Sequence, residues 1–468
     1  MRKTKIVATV GPASSSEEKL RELIKSGVDV LRLNFSHGTM EEHGQILKKI
    51  RNISDEVGVM MDTQGPEIRL GEIEEGTILR TGDTVKITTD DIIGDEKRIP
   101  VDYHGILDRV HAGDTVLLAD GELELKVVSI DDGIECEVIY GGKITSKKSL
   151  NIPGKDMGLT TPTEKDIEDI RYSVDQGFDF VSASFVKSGQ DIRNIRKVLE
   201  DNGSDMHIIA KIEHIKAVEN LDEILSEADG VMIARGDLGV EVPASDVPII
   251  QKDIIQRCNL KEMPVIVATQ MLMSMTESPR ATRAEVSDVA NAVIDGSDAV
   301  MLSEETAVGK YPVKSVEFMS EVVQKVEKLL EGKEHHTAGA KSKDIADIIS
   351  KNVWQASRDL EARYIVAHTS SGYTAHKISK FRPAIDVIAF TDSVKVQRRL
   401  NLVWGVRPLL IDFPEHVDEM IHNSAEFLFD KDMVDIDDTL ILTAGVPQPV
   451  TGITNMMEIR TVRSLLEE

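Results

Sequence analysis

The stretch from His207 to Arg235, HIIAKIEHIKAVENLDEILSEADGVMIAR, contains the repeating unit from which the fold can be predicted. It opens with an apolar run of strand length, His207 to Glu213, and closes with a second run, Gly230 to Arg235. Between them, Ala217 to Leu225 carries apolar residues at the spacing of an amphipathic helix. Continuous apolar runs that alternate with helices are typical of parallel strands buried on both faces. The stretch therefore predicts a β-α-β unit.

The same alternation recurs along most of the chain. Strand-length runs, each followed by a helical pattern, lie at Lys5 to Val10, Asp29 to Asn34, Gly58 to Asp62, Phe178 to Ser184, His207 to Glu213, Gly230 to Arg235, Pro264 to Gln270 and Asp298 to Ser303. Eight such units in succession predict an α/β fold, a (β/α)8 TIM barrel whose strands close into one parallel sheet.

One interval breaks the repeat, because the third run ends near Asp62 and the fourth begins near Phe178. Short alternating runs between them, separated by Gly-Asp, Asp-Gly and Gly-Gly turns, predict a small inserted β-barrel. An insertion after a barrel strand emerges at the C-terminal face, where it can act as a lid. Beyond a polar link, strands and helices alternate again and predict an open α/β sheet. We expect the barrel at 1–67 and 154–330, the lid domain at 68–153 and a C-terminal domain at 331–468.

Charge and composition exclude several classes of protein. Of 468 residues, 81 are acidic and 55 are Lys or Arg, so the formal charge is −26 and a nucleic-acid-binding surface is not expected. Cys136 and Cys258 are too few for a disulfide framework and are typical of reduced thiols. No run reaches the roughly 20 apolar residues of a membrane helix, and no signal-peptide core is present. We expect a soluble cytoplasmic protein that binds neither nucleic acid nor membrane.

Polar side chains lie at the predicted C-terminal ends of most barrel strands, where barrel enzymes place reactive groups. They are Arg32, Asn34, Ser36, Asp62, Thr63, Lys211, Glu213, Arg235, Asp237, Thr269, Gln270, Ser303 and Glu304. Any one of them could be an ordinary solvated strand end. However, several strands contribute charged groups to the same opening of the barrel, and this convergence indicates a functional site.

Two pairs among these residues favour phosphoryl transfer. Glu213 and Asp237 are hard oxygen ligands on neighbouring strands and suit Mg²⁺ or Mn²⁺ with positions left for substrate. Lys211 and Arg32 can neutralise a phosphoryl group, whose transfer depends mainly on positioning and charge stabilisation. The sequence contains no Walker A motif, no dinucleotide fingerprint and no serine in a nucleophile elbow, which disfavours Ser-His hydrolysis.

Longer motifs stand in a fixed order along the chain. They are KIVATVGP (5–12), LRLNFSHG (31–38), DTQGPEIR (62–69), AKIE (210–213), MIARGDLG (232–239), ATQML (268–272) and TRAEVSDVANAV (282–293). Each motif is moderately specific, and the ordered set is very specific. The chain resembles the pyruvate kinase family over nearly its whole length. The resemblance implies transfer of the phosphoryl group of phosphoenolpyruvate to ADP, giving pyruvate and ATP, with a C-terminal regulatory domain.

The resemblance also implies roles for the charged residues. Glu213 and Asp237 would hold the divalent metal. Lys211 would stabilise the phosphoryl group during transfer, and Arg32 would contact that group and the nucleotide phosphates.

Further roles follow from the same resemblance. Backbone amides around Arg235, Gly236 and Asp237, together with the hydroxyl of Thr269, would bind the substrate carboxylate. Thr269 would also belong to the path that protonates the enolate. Homotetramers are the usual assembly in the family, and we expect one here.

A potassium site is implied as well. Asn34, Ser36, Asp62 and Thr63 match the potassium ligands of the family. Members with Glu after the Gly-Pro pair generally need a monovalent cation, whereas members with Lys there can function without one. This chain has Glu67 at that position, so the resemblance implies a potassium requirement.

A loop in the C-terminal domain could bind phosphate. Hydroxyls, a glycine and free amides before a helix can hold a phosphate, although the same residues also suit an ordinary N-terminal cap. The loop resembles the effector-phosphate loop of the family. We therefore expect a phosphorylated allosteric effector, a sugar phosphate or a nucleotide, to bind at Thr369, Ser370, Ser371, Gly372 and Thr374.

Two other functions fit part of the pattern. A carbon-carbon lyase acting on pyruvate-type enolates could use the same metal, but it has no evident use for the inserted domain or the potassium ligands. A non-catalytic metabolite-binding protein could keep the fold. This non-catalytic alternative is disfavoured because the chain keeps all four proposed site residues, Lys211, Glu213, Asp237 and Thr269.

Overall fold

The computed structural model describes residues 2–331, 333, 343–445 and 452–467. Most of the predicted polar link at 331–343, including the adjacent His335 and His336, lies outside these residues. The domain boundaries at 67/68, 153/154 and 330/331 stay predictions.

Eight parallel strands close into a barrel, as the repeated apolar runs predict. In chain order they are Lys5–Val10, Val30–Asn34, Gly58–Asp62, Phe180–Ala183, His207–Ile212, Gly230–Ala234, Val265–Ala268 and Ala299–Leu302. The sheet closes because the first strand pairs with both the second and the eighth, with Val7 beside Val30 and Lys5 beside Ala299. The predicted TIM barrel is therefore confirmed.

Both faces of the barrel sheet are buried. Val7 and Met232 belong to the cluster that fills the barrel interior, while their neighbours Ala8 and Ile233 belong to the cluster formed with the surrounding helices. This explains why each strand is a continuous apolar run rather than an alternating one.

The helices around the barrel begin at capping residues that the sequence displays. Thr282 accepts a hydrogen bond from the backbone of Glu285, whose side chain accepts one from the backbone of Thr282, and Gly296 ends this helix with φ 97°. The helices around the barrel are Glu17–Lys25, Met40–Ile53, Glu164–Gln176, Gly189–Asp201, Ile215–Glu219, Leu221–Glu227, Arg235–Glu241, Val247–Leu260, Arg283–Asp295, Glu304–Ala307 and Pro312–Leu330; a 3₁₀ turn lies at Met273–Thr276, and another, His104–Asp108, lies in the insertion.

The residues after the third barrel strand form a separate β structure with its own apolar core. Its six-stranded sheet contains, in spatial order, Leu150–Asn151, Thr115–Leu118, Leu123–Ile130, Ile134–Tyr140, Thr84–Thr88 and Arg98–Pro100, and Ile78–Leu79 pairs with Gly142–Lys143. A Cβ added at Gly121 would lie 3.8 Å from Cγ2 of Val240 in the barrel helix Arg235–Glu241, and just past the insertion the amide of Gly154 donates to Oε2 of Glu241 at 3.3 Å. The insertion therefore contacts the C-terminal face of the barrel.

The C-terminal residues form an open five-stranded sheet, as predicted. Its strands, in spatial order, are Val406–Leu410, Val387–Thr391, Tyr364–His368, Thr439–Ala444 and Met456–Thr461, and the last is antiparallel. Its helices are Ile345–Asp359, Tyr373–Ser379, Val394–Leu400, Val417–Asp430 and Val462–Leu466. Nζ of Lys5 donates to the carbonyl oxygen of Val406 at 2.6 Å, so this sheet lies at the N-terminal end of the barrel.

Within the residues that the structure describes, every helix is too short or too polar to cross a membrane.

Candidate active site

Predicted charged residues from three barrel strands form one buried cluster. Nζ of Lys211 lies 2.8 Å from Oε1 of Glu213 and 3.4 Å from Oδ1 of Asp62. Oδ2 of Asp62 accepts a hydrogen bond from Nε of Arg32 at 3.0 Å and a second from Nη2. None of these side chains is more than 11% exposed. The strand ends therefore do meet in one place.

Lys211 and Asp62 keep their charges in this cluster. Burial alone would lower the pKa of Lys211, but the carboxylates of Asp62 and Glu213 outweigh burial and raise it. Burial alone would raise the pKa of Asp62, but Arg32 and Lys211 outweigh it and lower that pKa below its usual value. The cluster thus holds a fixed positive charge at the mouth of the barrel.

The carboxylates of the two predicted metal ligands are less fully balanced by neighbouring cations than that of Asp62. Burial raises the pKa of Glu213 to about 7; Lys211 opposes this shift and Asp237 adds to it. Burial likewise raises the pKa of Asp237. A divalent cation would relieve this repulsion. Within the described residues no group of three or more His, Cys, Asp or Glu side chains converges, so an ion held here would take further ligands from substrate or water.

The predicted carboxylate site is built around a strained residue. Thr269 has φ 65°, in the left-handed region that a β-branched residue rarely adopts. Its hydroxyl accepts a hydrogen bond from the amide of Gly236 at 2.8 Å and donates to the carbonyl oxygen of Ala268 at 2.7 Å. A Cβ added at Gly236 would lie 3.5 Å from that hydroxyl. Thr269 and Gly236 are therefore adjacent, as the carboxylate prediction requires.

The side chain of Arg235 has a role that the sequence did not indicate. Its Nη2 donates to the carbonyl oxygen of Thr269 at 2.8 Å, and its Nε lies 3.3 Å from that of Ala268. Nη1 pairs with Asp288 at 2.7 Å. The guanidinium group thus holds the backbone of the seventh strand, and the backbone at Arg235 is what remains available to a substrate.

The predicted potassium ligands come from adjacent strands. Asn34 lies beside Asp62 in the register of the second and third strands, and Oδ1 of Asn34 accepts from the amide of Ser36 at 3.0 Å. Oδ1 of Asp62 is buried and accepts no hydrogen bond in the described structure, but it lies 3.4 Å from the ammonium group of Lys211. The hydroxyl of Thr63 accepts from the amide of Ser184 at 3.0 Å. A buried carboxylate oxygen beside other oxygen atoms suits a monovalent cation.

A cavity of about 70 Å³ lies between the insertion and the barrel. Glu67, Asp120, Lys187 and Asp237 are among its lining residues. Nε of Arg69 donates to Oε2 of Glu67 at 2.8 Å. Burial raises the pKa of Glu67, and Arg69 opposes this shift. The cavity places the predicted metal ligand Asp237 at the boundary between barrel and insertion.

Two residues of the cluster escaped the sequence reasoning. Nζ of Lys211 donates to the hydroxyl of Ser184 at 2.6 Å, and Nη1 of Arg32 donates to the hydroxyl of Thr9 at 2.9 Å. Ser184 directly follows the fourth strand, so its position at a strand end was a signal for it, as for the other site residues. Thr9 lies within the apolar first strand and gives no comparable signal.

The loop predicted to bind an effector is only partly accessible. The hydroxyl of Thr369 accepts from the amide of Gly372 at 2.8 Å. Thr374 is 2% exposed, and its hydroxyl lies 2.8 Å from that of Thr454. Ser371 is exposed and Ser370 half-buried. The serine side chains and the loop amides are thus the groups that a phosphate could reach.

Known proteins match this chain along nearly its full length. A family model described as pyruvate kinase, barrel domain, matches residues 1–316, and one described as pyruvate kinase, alpha/beta domain, matches residues 347–460. The pyruvate kinase of Bacillus licheniformis is 44% identical over 473 residues, and that of Geobacillus stearothermophilus is 44% identical over 476; each match covers 99% of this chain and 81% of the relative. The crystal structure of a pyruvate kinase from Cryptosporidium parvum superposes with a TM-score of 0.92 at 38% identity, covering 98% of this chain and 96% of that one. The chain belongs to the pyruvate kinase family.

Proposed function

We propose that this chain transfers the phosphoryl group of phosphoenolpyruvate to ADP, giving pyruvate and ATP, at the cluster of Arg32, Asp62, Lys211 and Glu213. The observation that carries the proposal is the buried pairing of Lys211 with Glu213 at 2.8 Å beside the fixed Arg32–Asp62 pair. In the transfer, an oxygen of the ADP β-phosphate forms a bond to phosphorus as the bond from phosphorus to the enol oxygen breaks. The leaving enolate then takes a proton at carbon and becomes pyruvate.

Lys211 and Arg32 supply the charge stabilisation. Negative charge spreads over the phosphoryl oxygens during transfer, and fixed cations in a water-poor site stabilise it without reorganisation. Asp62 orients Arg32 and also lies 3.4 Å from the Lys211 ammonium. We assign Lys211 to the transferring phosphoryl group, and Arg32 to that group and the nucleotide phosphates.

Glu213 and Asp237 are the proposed ligands of Mg²⁺ or Mn²⁺. Their donor atoms are hard oxygens, and burial disfavours the charged form of both carboxylates until a cation is present. A bound divalent ion would supply positive charge to the phosphoryl oxygens. Glu213 also accepts a hydrogen bond from the amide of Phe185 at 2.6 Å, which fixes its orientation.

Thr269 and the amides that follow the sixth strand are the proposed carboxylate site. The amide of Gly236 now donates to the Thr269 hydroxyl, so a substrate carboxylate would exchange this bond for its own. Thr269 would then be free to take part in protonating the enolate. Arg235 holds the Thr269 carbonyl throughout and keeps the hydroxyl in place.

Asn34, Ser36, Asp62 and Thr63 are proposed as potassium ligands. The position of Asp62 beside Asn34, with its Oδ1 buried and accepting no hydrogen bond among the described residues, supports this assignment. A potassium ion there would add positive charge close to the phosphoryl group. Glu67 cannot supply such a charge, and its carboxylate is paired with Arg69.

The reaction itself is tested by coupling pyruvate formation to NADH oxidation with lactate dehydrogenase. The purified chain with phosphoenolpyruvate, ADP, MgCl₂ and KCl should form pyruvate at a rate that depends on ADP. Pyruvate formed equally fast without ADP would indicate hydrolysis of phosphoenolpyruvate and contradict the proposal. No turnover under any metal condition would favour the non-catalytic alternative.

A phosphorylated effector is proposed to bind the loop from Thr369 to Thr374. Calorimetry with fructose 1,6-bisphosphate, ribose 5-phosphate, glucose 6-phosphate and AMP tests this directly. Ser371→Asp should abolish binding by placing negative charge beside the phosphate, whereas Ser371→Ala should weaken it less. Thr374 is unsuitable for this test because its side chain is buried against Thr454. If none of the four compounds binds the unmodified chain, the loop assignment is wrong.

A homotetramer is the proposed assembly. Apolar side chains stay exposed on the outer elements of the C-terminal domain and the barrel, as with Ile345 at 65%, Ile459 at 41% and Ile249 at 68%. Ile459 belongs to the antiparallel edge strand Met456–Thr461, whose free edge could pair with another chain. Light scattering after size-exclusion chromatography should give about four times the mass of 51.7 kDa; a single-chain mass would contradict the assignment.

A further inference from the structure

The turn that precedes the seventh barrel strand contains a strained residue outside the active site. Glu262 lies between the helix Val247–Leu260 and the strand Val265–Ala268, with φ 62°. A side chain in the left-handed region is costly and persists only where the surrounding structure fixes it. The partners of Glu262 are therefore informative.

The helix that follows the effector loop supplies those partners. Oε1 of Glu262 accepts hydrogen bonds from Nζ of Lys377 at 2.9 Å and from Nζ of Lys380 at 2.8 Å. The backbone carbonyl of Glu262 lies 3.1 Å from Nδ1 of His376, and since a carbonyl only accepts, that nitrogen carries the proton. Asp347 also pairs with Lys377, at 2.9 Å. Glu262 of the barrel is thus bound by two residues of this helix, His376 and Lys377, and by Lys380, which directly follows it.

This contact is well protected from solvent. The side chains of Lys377 and Lys380 are 9% and 7% exposed, and that of Glu262 is 16% exposed. Burial alone would lower the pKa of Lys377, but its hydrogen bonds to Asp347 and Glu262 outweigh burial and raise it. Lys377 therefore stays charged, and removing one partner of such a buried ion pair costs more than removing a partner of an exposed one.

The contact joins two functional segments. The helix Tyr373–Ser379 begins directly after Ser371 and Gly372, the proposed effector loop. The strand Val265–Ala268 begins three residues after Glu262 and ends directly before Thr269, and at about 3.3 Å per residue its four residues span about 13 Å. A movement of the loop can therefore reach the carboxylate site through two rigid elements and one ion-pair contact.

We propose that Glu262 is a positioning residue, which transmits the position of the helix Tyr373–Ser379 to the strand Val265–Ala268 and so fixes Thr269 for substrate binding. The inference rests on the proposed function of Thr269 and extends it to regulation. When the contact is lost, the turn can relax and Thr269 is held less firmly in its left-handed conformation. Binding of phosphoenolpyruvate should weaken, while the phosphoryl-transfer cluster at Lys211 is untouched.

The test uses Glu262→Gln and Glu262→Gly in the full chain. The first keeps the side-chain shape without its charge, and the second suits the left-handed backbone. Both should fold, because Arg382 still joins the two domains through Asn259 at 2.7 Å and Asp298 at 3.0 Å. Glu219→Gln is the matched control, since Glu219 forms an exposed ion pair with Lys216 at 2.8 Å.

Both Glu262 variants should raise the half-saturating concentration of phosphoenolpyruvate by about 2- to 30-fold, the range for changes within a coupling network, with kcat altered less than about twofold. Glu219→Gln should leave both parameters unchanged. Amides from Val265 to Thr269 should exchange hydrogen faster in the Glu262 variants. Lys380→Met should act in the same direction, and combining it with Glu262→Gln should give less than the product of the two effects.

Two results would overturn the inference. In the first, both Glu262 variants have the same half-saturating concentration of phosphoenolpyruvate as Glu219→Gln, and amide hydrogen exchange at Val265–Ala268 is unchanged. The other is a double variant, Glu262→Gln with Lys380→Met, in which the increase in half-saturating concentration equals the product of the two single increases. If the unmodified chain forms no pyruvate, the proposed function fails instead. The role of Glu262 can then still be tested by calorimetry, which measures whether the Glu262 variants bind phosphoenolpyruvate more weakly in the presence of MgCl₂ and KCl.

Discussion

Nη2 of Arg235 donates a hydrogen bond to the carbonyl oxygen of Thr269 at 2.8 Å, and this bond links the sixth and seventh barrel strands behind the proposed carboxylate site. The sequence indicated Arg235 as a group that could face substrate. In the structure its guanidinium group binds main-chain oxygens and Asp288 instead. Arg235 is thus best understood as a residue that holds Thr269 in position.

Arg235→Met should therefore raise the half-saturating concentration of phosphoenolpyruvate at least about tenfold, because a left-handed threonine costs roughly 1–3 kcal/mol and loses its main restraint. Steady-state kinetics at varied phosphoenolpyruvate measures the effect. Asp288→Asn is the control, since it removes the outer partner at 2.7 Å and keeps the bonds from Arg235 to the strand. An equal effect of the two variants would show that the bond to Thr269 is not what matters.

Metal dependence tests the two proposed ligands of the divalent ion. Glu213→Gln and Asp237→Asn should each raise the Mg²⁺ concentration for half-maximal activity, because each removes one charge and one ligand from a hard-cation site. Titration of MgCl₂ at saturating substrates gives this concentration. Glu219→Gln, an exposed control, should leave it unchanged. An unchanged value in both ligand variants would place the ion elsewhere.

Much of this architecture could be predicted from the sequence because the local signals agree with the fold. Parallel strands buried on both faces leave continuous apolar runs, and the polar strand ends, as at Lys211 and Glu213, follow directly from them. The side-chain direction of Arg235 could not be predicted, because a strand end fixes the position of a residue and not which neighbour it binds. The strain at Thr269 and Glu262 was equally hidden, since neither is a residue type associated with positive φ.

Potassium dependence follows from the acidic residue at position 67. Turnover should fall strongly when KCl is replaced by tetramethylammonium chloride at equal ionic strength, because the proposed site then lacks its cation. Glu67→Lys should partly relieve this dependence by supplying an ammonium group, whereas Glu67→Gln should not. Full turnover of the unmodified chain in potassium-free buffer would contradict the assignment of Asn34, Ser36, Asp62 and Thr63.

The contact between barrel and insertion should make stability depend on pH through Glu241. Burial raises the pKa of Glu241 to about 7, above its value of about 4.3 in an unfolded chain. The folded chain therefore holds a proton that the unfolded chain has released, and stability is lost as the pH rises from about 4.3 to about 7. His214, 3.4 Å away, does not offset this because burial lowers its pKa and keeps it neutral.

Glu241→Gln should remove that dependence. Its thermal midpoint should exceed that of the unmodified chain at pH 8, where the free-energy gain is at most about 4 kcal/mol at 1.36 kcal/mol per pKa unit, and should match it at pH 4.5. Scanning calorimetry across this range measures the difference. A constant difference at every pH would show that Glu241 does not titrate in the folded chain.

The most direct test of the central claim is the turnover number of Lys211→Met. If Lys211 stabilises charge that develops during transfer, kcat should fall at least about 100-fold, the loss typical of removing one such group, while the half-saturating concentration of phosphoenolpyruvate changes less than about threefold. Lys216→Met, which changes a 43% exposed lysine nearby, should retain full activity, and thermal midpoints should confirm that both variants fold. A Lys211→Met chain that keeps more than about a tenth of the unmodified kcat would contradict the account.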